Sequence, residues 1–173
     1  AMADEGETPR VTVAGCNQRV EGIIRQLSAN DFSLQTLELA GMRFAPQFYH
    51  SLGDALGHNQ ALRKLSLHRC EIDDRQLHVL RPGLMRNTTL RALSLDGNLI
   101  RDAGAHMFTS TCRDRAWDRR HDGLAVAQTS SGRRLQRLSL AHNRVGDSGA
   151  VALARALAAA DDSLRVLNLE GNR

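Results

Sequence analysis

The chain is poor in most of the features that advertise a chemistry. Its 173 residues include three cysteines without regular spacing, which argues against a disulfide framework and for a reducing, intracellular compartment. Aromatic residues make up 3%, without the interleaving that single-stranded nucleic-acid binders use for base stacking. No apolar run reaches the length of a membrane span, and no signal-peptide segment opens the chain. A glycine-rich phosphate loop is missing. The histidines, His50, His58, His68, His78, His106, His121 and His142, show no metal-ligand spacing with cysteine or acid. Ser66 and His68 share one strand face, but no third, orienting group can be placed for a triad. No enzyme activity, cofactor, metal, small-molecule substrate or membrane is therefore expected, and nucleic acid is disfavoured.

What the chain does have is a repeated phrase, Leu-x-x-Leu-x-Leu-x-x-(Asn/Cys)-x-(Ile/Val). It runs from Leu62 through Cys70 to Ile72, from Leu90 through Asn98 to Ile100, and from Leu135 through Asn143 to Val145. It begins again at Leu164 and reaches Asn172. A looser copy starts at Leu34, with Met42 and Phe44 in the last two slots. The starts are spaced by 28, 28, 45 and 29 residues. Self-similarity at such a period is the signature of a solenoid, here a leucine-rich repeat.

Each unit reads as a strand, a turn and a helix. The Leu-x-Leu core has period 2 and points its leucines inward. The asparagine after it can bond backbone of the adjacent coil, so Asn98, Asn143 and Asn172 are read as structural. Eight and twelve places beyond the Ile/Val slot, apolar residues recur on one helix face: Leu52 and Leu56, Leu80 and Leu84, Phe108 and Cys112, Leu153 and Leu157. Cys16 and Cys70 fall in the asparagine slot and, with Cys112, are read as small core residues. Asp147 or Ser148 is expected to cap the last helix. The expected class is α/β, a horseshoe with a parallel concave sheet and convex helices.

The expected organisation is a disordered polar tail over residues 1–9 and one solenoid domain over 10–173. Residues 10–33 form a degenerate cap, with Val11-x-Val13-x-x-Cys16 two residues out of the 28-residue frame. The chain halts just past a ladder asparagine with a leucine layer uncovered, and the expectation is of a truncated C-terminus.

The wording Asn-x-Val-Gly-Asp-x-Gly-Ala-x-Ala-Leu-Ala-x-Ala-Leu from Asn143 to Leu157 resembles the ribonuclease-inhibitor subfamily of leucine-rich repeats, over residues 11 to 173. That resemblance implies a protein-binding scaffold. The order of Leu34-Gln-Thr-Leu-Glu-Leu-Ala-Gly41, Leu62-Arg-Lys-Leu-Ser-Leu-His-Arg-Cys70 and a long arginine-rich insertion is similar to the N-terminal repeat domain of the seventy-eight-kilodalton centrosomal protein family. This implies a cytoskeletal scaffold of centrosomes, basal bodies and cilia. The alternative is a GTPase activator of the Ran-activating type, which shares the repeat but carries an acidic flank that this chain lacks. A nuclease-inhibitor role fits less well, because a basic enzyme calls for an acidic inhibitor and the net charge here is +4.

Two places could bind a partner. The 45-residue unit holds about 17 extra residues between helix and strand, within 113–134, on the face where solenoid insertions often serve binding. From Thr111 to Arg137 stand Arg113, Arg115, Arg119, Arg120, Arg133, Arg134 and Arg137 against Asp114, Asp118 and Asp122, with Trp117 in the middle. One reading is a site for an acidic protein partner, with arginine forks on carboxylates and Trp117 as an apolar anchor. The other is a longer helix with solvated charges and Trp117 covering the flank. Both stay open at this point. The second place is the concave sheet. Its outward residues are Thr36, Glu38 and Ala40; Lys64, Ser66 and His68; Ala92, Ser94 and Asp96; Arg137, Ser139 and Ala141; Val166, Asn168 and Glu170. Lys64, His68, Asp96 and Glu170 are its weaker contact candidates, on a surface expected to be smooth and without an aromatic anchor.

Overall fold

The computed structural model describes residues 10–13, 17–113, 135–159 and 164–173. The tail over 1–9, Cys16, and Arg115, Trp117, Arg119, Arg120, Arg133 and Arg134 lie outside the described residues, as do the side chains of Arg113, Cys112 and Leu157.

Strands and helices alternate along the chain: β1 (Arg10–Val13), α1 (Asn17–Ser28), β2 (Thr36–Leu39), α2 (Pro46–His58), β3 (Lys64–Ser66), α3 (Asp74–Arg86), β4 (Ala92–Ser94), α4 (Asp102–Arg113), β5 (Arg137–Ser139), α5 (Asp147–Ala159) and β6 (Val166–Asn168). The six strands form one parallel sheet in sequence order, the arrangement expected when every strand returns through a helix of its own repeat. Leu37 pairs with Leu65, Leu65 with Leu93, Leu93 with Leu138, and Leu138 with Leu167. The long unit therefore enters β5 without a register slip. Val11 pairs with Leu37, so the first strand joins the sheet in spite of its offset from the 28-residue frame.

Between sheet and helices runs one apolar core. Leu37, Leu39, Leu65, Leu67, Leu93, Leu95, Leu138 and Leu140 enter it from the strands, and Leu52, Leu56, Leu80, Phe108 and Leu153 from the helices. Leu84 is only half-buried at its edge. Burying one such leucine contributes roughly 1.5–3 kcal/mol. The helices α2 and α3 pack almost backbone to backbone. A Cβ added at Gly83 would strike the Gly53 carbonyl, so glycine is needed there for contact rather than for its dihedral freedom.

Polar ladders tie repeat to repeat along both edges of the sheet. On the edge where strands end, Asn98 Nδ2 donates to the carbonyls of Leu67 (2.9 Å) and Leu95 (2.8 Å), while its Oδ1 accepts from the N–H groups of Cys70 and Ile72. Asn143 and Asn172 repeat the pattern one and two units on. Cys70 holds the same slot by donating its thiol to the Leu39 carbonyl at 3.0 Å. A second ladder lies on the opposite edge, where helices end. Asn59 Nδ2 donates to the Leu27 carbonyl, and Asn87 Nδ2 to those of Leu56 and Asn59.

The helix N-termini differ from expectation. Asp147 opens helix α5 rather than preceding it, and the Gly146 N–H is accepted by Asp102 of the previous repeat at 2.6 Å. Asp74 likewise accepts from the N–H groups of Arg101 and Gly104 at the start of α4. Because the helices stack side by side, a first-turn carboxylate of one reaches the electropositive start of the next. Only α3 shows a local capping box among the described residues, built from Asp73 and Gln76.

Candidate functional site: the open sheet face and its basic edge

The strands are short and of period 2, so one set of side chains goes to the core and the other to the open face. Parallel pairing then arranges the open-face residues in rows that cross the sheet. The first row is Thr36, Lys64, Ala92, Arg137 and Val166, and the second is Glu38, Ser66, Ser94, Ser139 and Asn168. Together with the strand leucines behind them, these two rows line a groove of about 410 Å³.

The groove has little relief because its central residues are small. Thr36, placed among the outward residues, is 5% exposed, and Ala141 is 4% exposed. A short side chain on an inner strand is overshadowed by its longer neighbours. Lys64 and Arg137 are exposed and flank the half-buried Ala92 in one row. Val166 follows Arg137 in that row and is 49% exposed, an apolar end to a basic pair.

At the strand ends the chemistry changes sign. The Ser66 hydroxyl lies 3.2 Å from His68 Nδ1, and the Ser94 hydroxyl donates to Asp96 Oδ2 at 2.9 Å. Asp96 Oδ1 also accepts the Ala141 N–H at 2.9 Å, so both oxygens of this carboxylate are engaged within the sheet edge. Glu170 is exposed at the same level, one strand from Ala141. Among the described residues no group of three or more His, Cys, Asp or Glu is placed to hold a metal ion.

Of the arginine set assigned to the insertion, Arg137 sits on the open face of β5 and Arg113 ends helix α4. The other members lie outside the described residues. The structure therefore unites Arg137 with Lys64, a pair that are 73 positions apart in the numbering. Sequence reasoning passed over Arg63, Arg91 and Arg165. Each stands one place before an outward strand residue, on the edge where strands begin, and that repeated offset was the signal available. Arg63 Nη1 donates to the Thr89 carbonyl and Arg91 Nη1 to that of Thr88, which lays both guanidinium groups along this edge.

Cys70 is no part of the site. It is 1% exposed, and burial pushes its thiol above the ordinary range. Burial also raises Tyr49, whose hydroxyl donates to the Cys70 carbonyl at 3.4 Å. Phe44 stacks on Phe48 with centroids 4.0 Å apart beside Tyr49, which closes the core under α2.

Residues 86–108 and 133–154 match the family profile described as Leucine Rich repeat. Among solved structures, the chain is similar to the tropomodulin C-terminal domain of Caenorhabditis elegans, with a TM-score of 0.68 at 17% identity over 87% of this chain and 82% of that one. It is similar also to the actin-binding site 2 of leiomodin-1, with a TM-score of 0.67 at 16% identity over 91% of this chain and 81% of that one. At such identities the likeness speaks for the fold. The chain is an α/β leucine-rich-repeat solenoid, with the repeat profile recognised before and after the extra residues of its long unit.

Proposed function

We propose that this chain is a non-enzymatic protein-binding module of the cytoskeleton, taking its partner on the open sheet face. The observation that carries the reading is the groove of about 410 Å³, lined by side chains from β2 through β6. It is rowed with lysine, arginine, serine and alanine rather than with an acid–base constellation. Such a surface offers shape and charge to another macromolecule but no activated nucleophile. Two similar solenoids support the cytoskeletal placement, one of them named for actin binding. The finer reading places the module at centrosomes, basal bodies or cilia, where the insertion arginines Arg113, Arg115, Arg119, Arg120, Arg133 and Arg134, with Trp117, would extend the contact.

Co-sedimentation tests this reading. The chain is spun with actin filaments, with isolated centrosomes, and alone, as wild type and as Ala92→Trp, which fills the middle of the groove from the solvent side. Retention by one of the two assemblies, lost about tenfold in Ala92→Trp with the circular dichroism unchanged, is the expected outcome. Retention by actin would set aside the centrosomal version. Retention by neither would remove the cytoskeletal reading, and retention indifferent to Ala92→Trp would move the contact off the sheet.

A further inference from the structure

Outside residues 113–134, which hold six arginines and three aspartates, the sequence is nearly balanced in charge, yet the fold sorts that charge by edge. The strand-start edge carries Arg63, Lys64, Arg91, Arg137 and Arg165, from four consecutive repeats. Among the described residues the acid on the same edge is Asp31, one repeat away from the nearest of them, with its carboxylate occupied by Ser33; Asp161 and Asp162, which precede Leu164 in the sequence, lie outside the described residues. Of the open-face carboxylates, Glu38 stands in the second row on β2, while Asp96 and Glu170 lie at the opposite ends of their strands. Among the described residues, Arg63, Lys64, Arg137 and Arg165 form no ion pair; the pair found is Arg43 with Glu71, on the strand-end side. All four are exposed.

From this sorting we infer that the strand-start edge and the first row of the groove bind an acidic, extended protein segment. The inference rests on the sheet face being a binding surface and adds the chemistry of what binds. Lys64 and Arg137 are two strand spacings apart, about 10 Å, which an extended peptide covers in roughly three residues. Carboxylates two or four residues apart share one face of such a segment at about 7 or 13 Å, bracket that distance and can meet both long cationic side chains at once. Between them Ala92 gives room for the peptide backbone. In the second row the Ser139 hydroxyl has no partner among the described residues and is open to a backbone group of the segment. The charge gradient across the face fixes direction and register, because a ligand slid toward the strand ends meets Asp96 and Glu170. A nucleic acid fits the cations but not the rest of the face, since neither row holds an aromatic ring for base stacking.

The test uses the full chain and fluorescein-labelled decaglutamate, read by fluorescence anisotropy at two salt concentrations. Lys64→Glu with Arg137→Glu is compared with Arg25→Glu plus Arg155→Glu, which makes the same charge change on the exposed surfaces of α1 and α5. A tenfold or greater loss of affinity in the first pair, and less than twofold in the second, is expected. The milder Lys64→Gln with Arg137→Gln should lose about threefold and covers the case in which the reversal fails to fold. Equal weakening by both reversed pairs would reduce the effect to net charge and overturn the inference. Tighter binding of decauridylate, abolished by the same edge pair, would overturn it in favour of RNA. Loss of cytoskeletal retention in Ala92→Trp, with decaglutamate binding unaffected by the edge pair, would leave the scaffold reading standing and remove this one alone. If Ala92→Trp changes no retention while decaglutamate binding still depends on the edge pair, the cytoskeletal reading goes and the acidic-ligand site remains.

Discussion

The two edges of the sheet are built from the same repeat and have been put to different uses. Where strands end, Cys70, Asn98, Asn143 and Asn172 occupy one slot in four consecutive repeats, and each bonds the backbone of the repeat before it. Where strands begin, the asparagine ladder consists of Asn59 and Asn87, and the corresponding place in the long unit, residue 132, is a glycine. The long unit departs from the repeat between α4 and β5, on this second edge, yet Leu93 still pairs with Leu138. Register is held across it by backbone bonds from Gln136 and Arg137 to the Arg91 carbonyl where the strands begin, and on the first edge by Asn143 to the Leu95 carbonyl and the Ile100 N–H. Both edges tie repeats together, but the strand-end ladder runs on through the long unit, whereas length and charge vary on the strand-start edge. With the proposed acidic-segment site on the second edge, structure and recognition would be separated by about one strand length.

That division predicts unequal costs for the same substitution. Asn98→Ala strips the N–H groups of Cys70 and Ile72 and the carbonyls of Leu67 and Leu95 of their buried partner. At about 1–3 kcal/mol for each buried group left unmet, with partial rescue by relaxation, a loss of roughly 3 kcal/mol or more is expected from urea unfolding. Asn87→Ala removes a similar number of bonds, but its surroundings are only part-buried and water can replace it. Its cost should be nearer 1–2 kcal/mol. Equal losses at the two positions would erase the distinction between the edges.

Asp102→Ala probes the strand-end edge one step further from the sheet. Its carboxylate serves the start of α5 across a repeat boundary, in the way an ordinary N-cap serves its own helix. A loss of about 1 kcal/mol is expected, the usual value of such a cap. The decisive reading is its coupling to Asn143→Ala. Both act on the junction between the fourth and fifth strands' repeats, so a double variant that is less destabilised than the sum would show one shared interface. Strict additivity would instead make the helix contact independent of the ladder.

Much of this was legible in the sequence because the repeat states each element several times. Leucines at fixed offsets gave the strands, their inward face and the helix face, and the asparagine slot marked the strand-end ladder. The cross-repeat caps were not legible. Asp147 looks like a cap when its own helix is considered alone, and only the stacking of helices shows that Asp102 does that work. Asn59 and Asn87 were invisible for a related reason, since their offset from the leucine phrase has no counterpart in the longest unit. The basic edge was missed because residues such as Arg63 and Arg165 are ordinary surface arginines until pairing aligns them with Lys64 and Arg137. Periodicity reveals what every repeat shares, whereas recognition sits in what rows of unequal residues share.

The smallest expected effect is also the sharpest test of the comparison. Deleting residues 116–132 would return the long unit to the spacing of its neighbours. If the strand-start edge merely tolerates the extra length, shortening the connection reduces loop-closure cost, and stability should stay unchanged or rise by up to about 1 kcal/mol. Thermal and urea unfolding of the deleted chain measure this directly. A loss above about 2 kcal/mol would mean that the removed residues bury apolar area on the solenoid, and the two edges would then both be structural. Decaglutamate binding by the same variant completes the argument. Lys64, Arg137, Arg63 and Arg165 all remain, and the deletion takes Arg119 and Arg120 out together with Asp118 and Asp122, leaving the net charge unchanged, so affinity should stay within about twofold. Complete loss would transfer recognition from the aligned edge to the removed segment, which holds Trp117, Arg119 and Arg120.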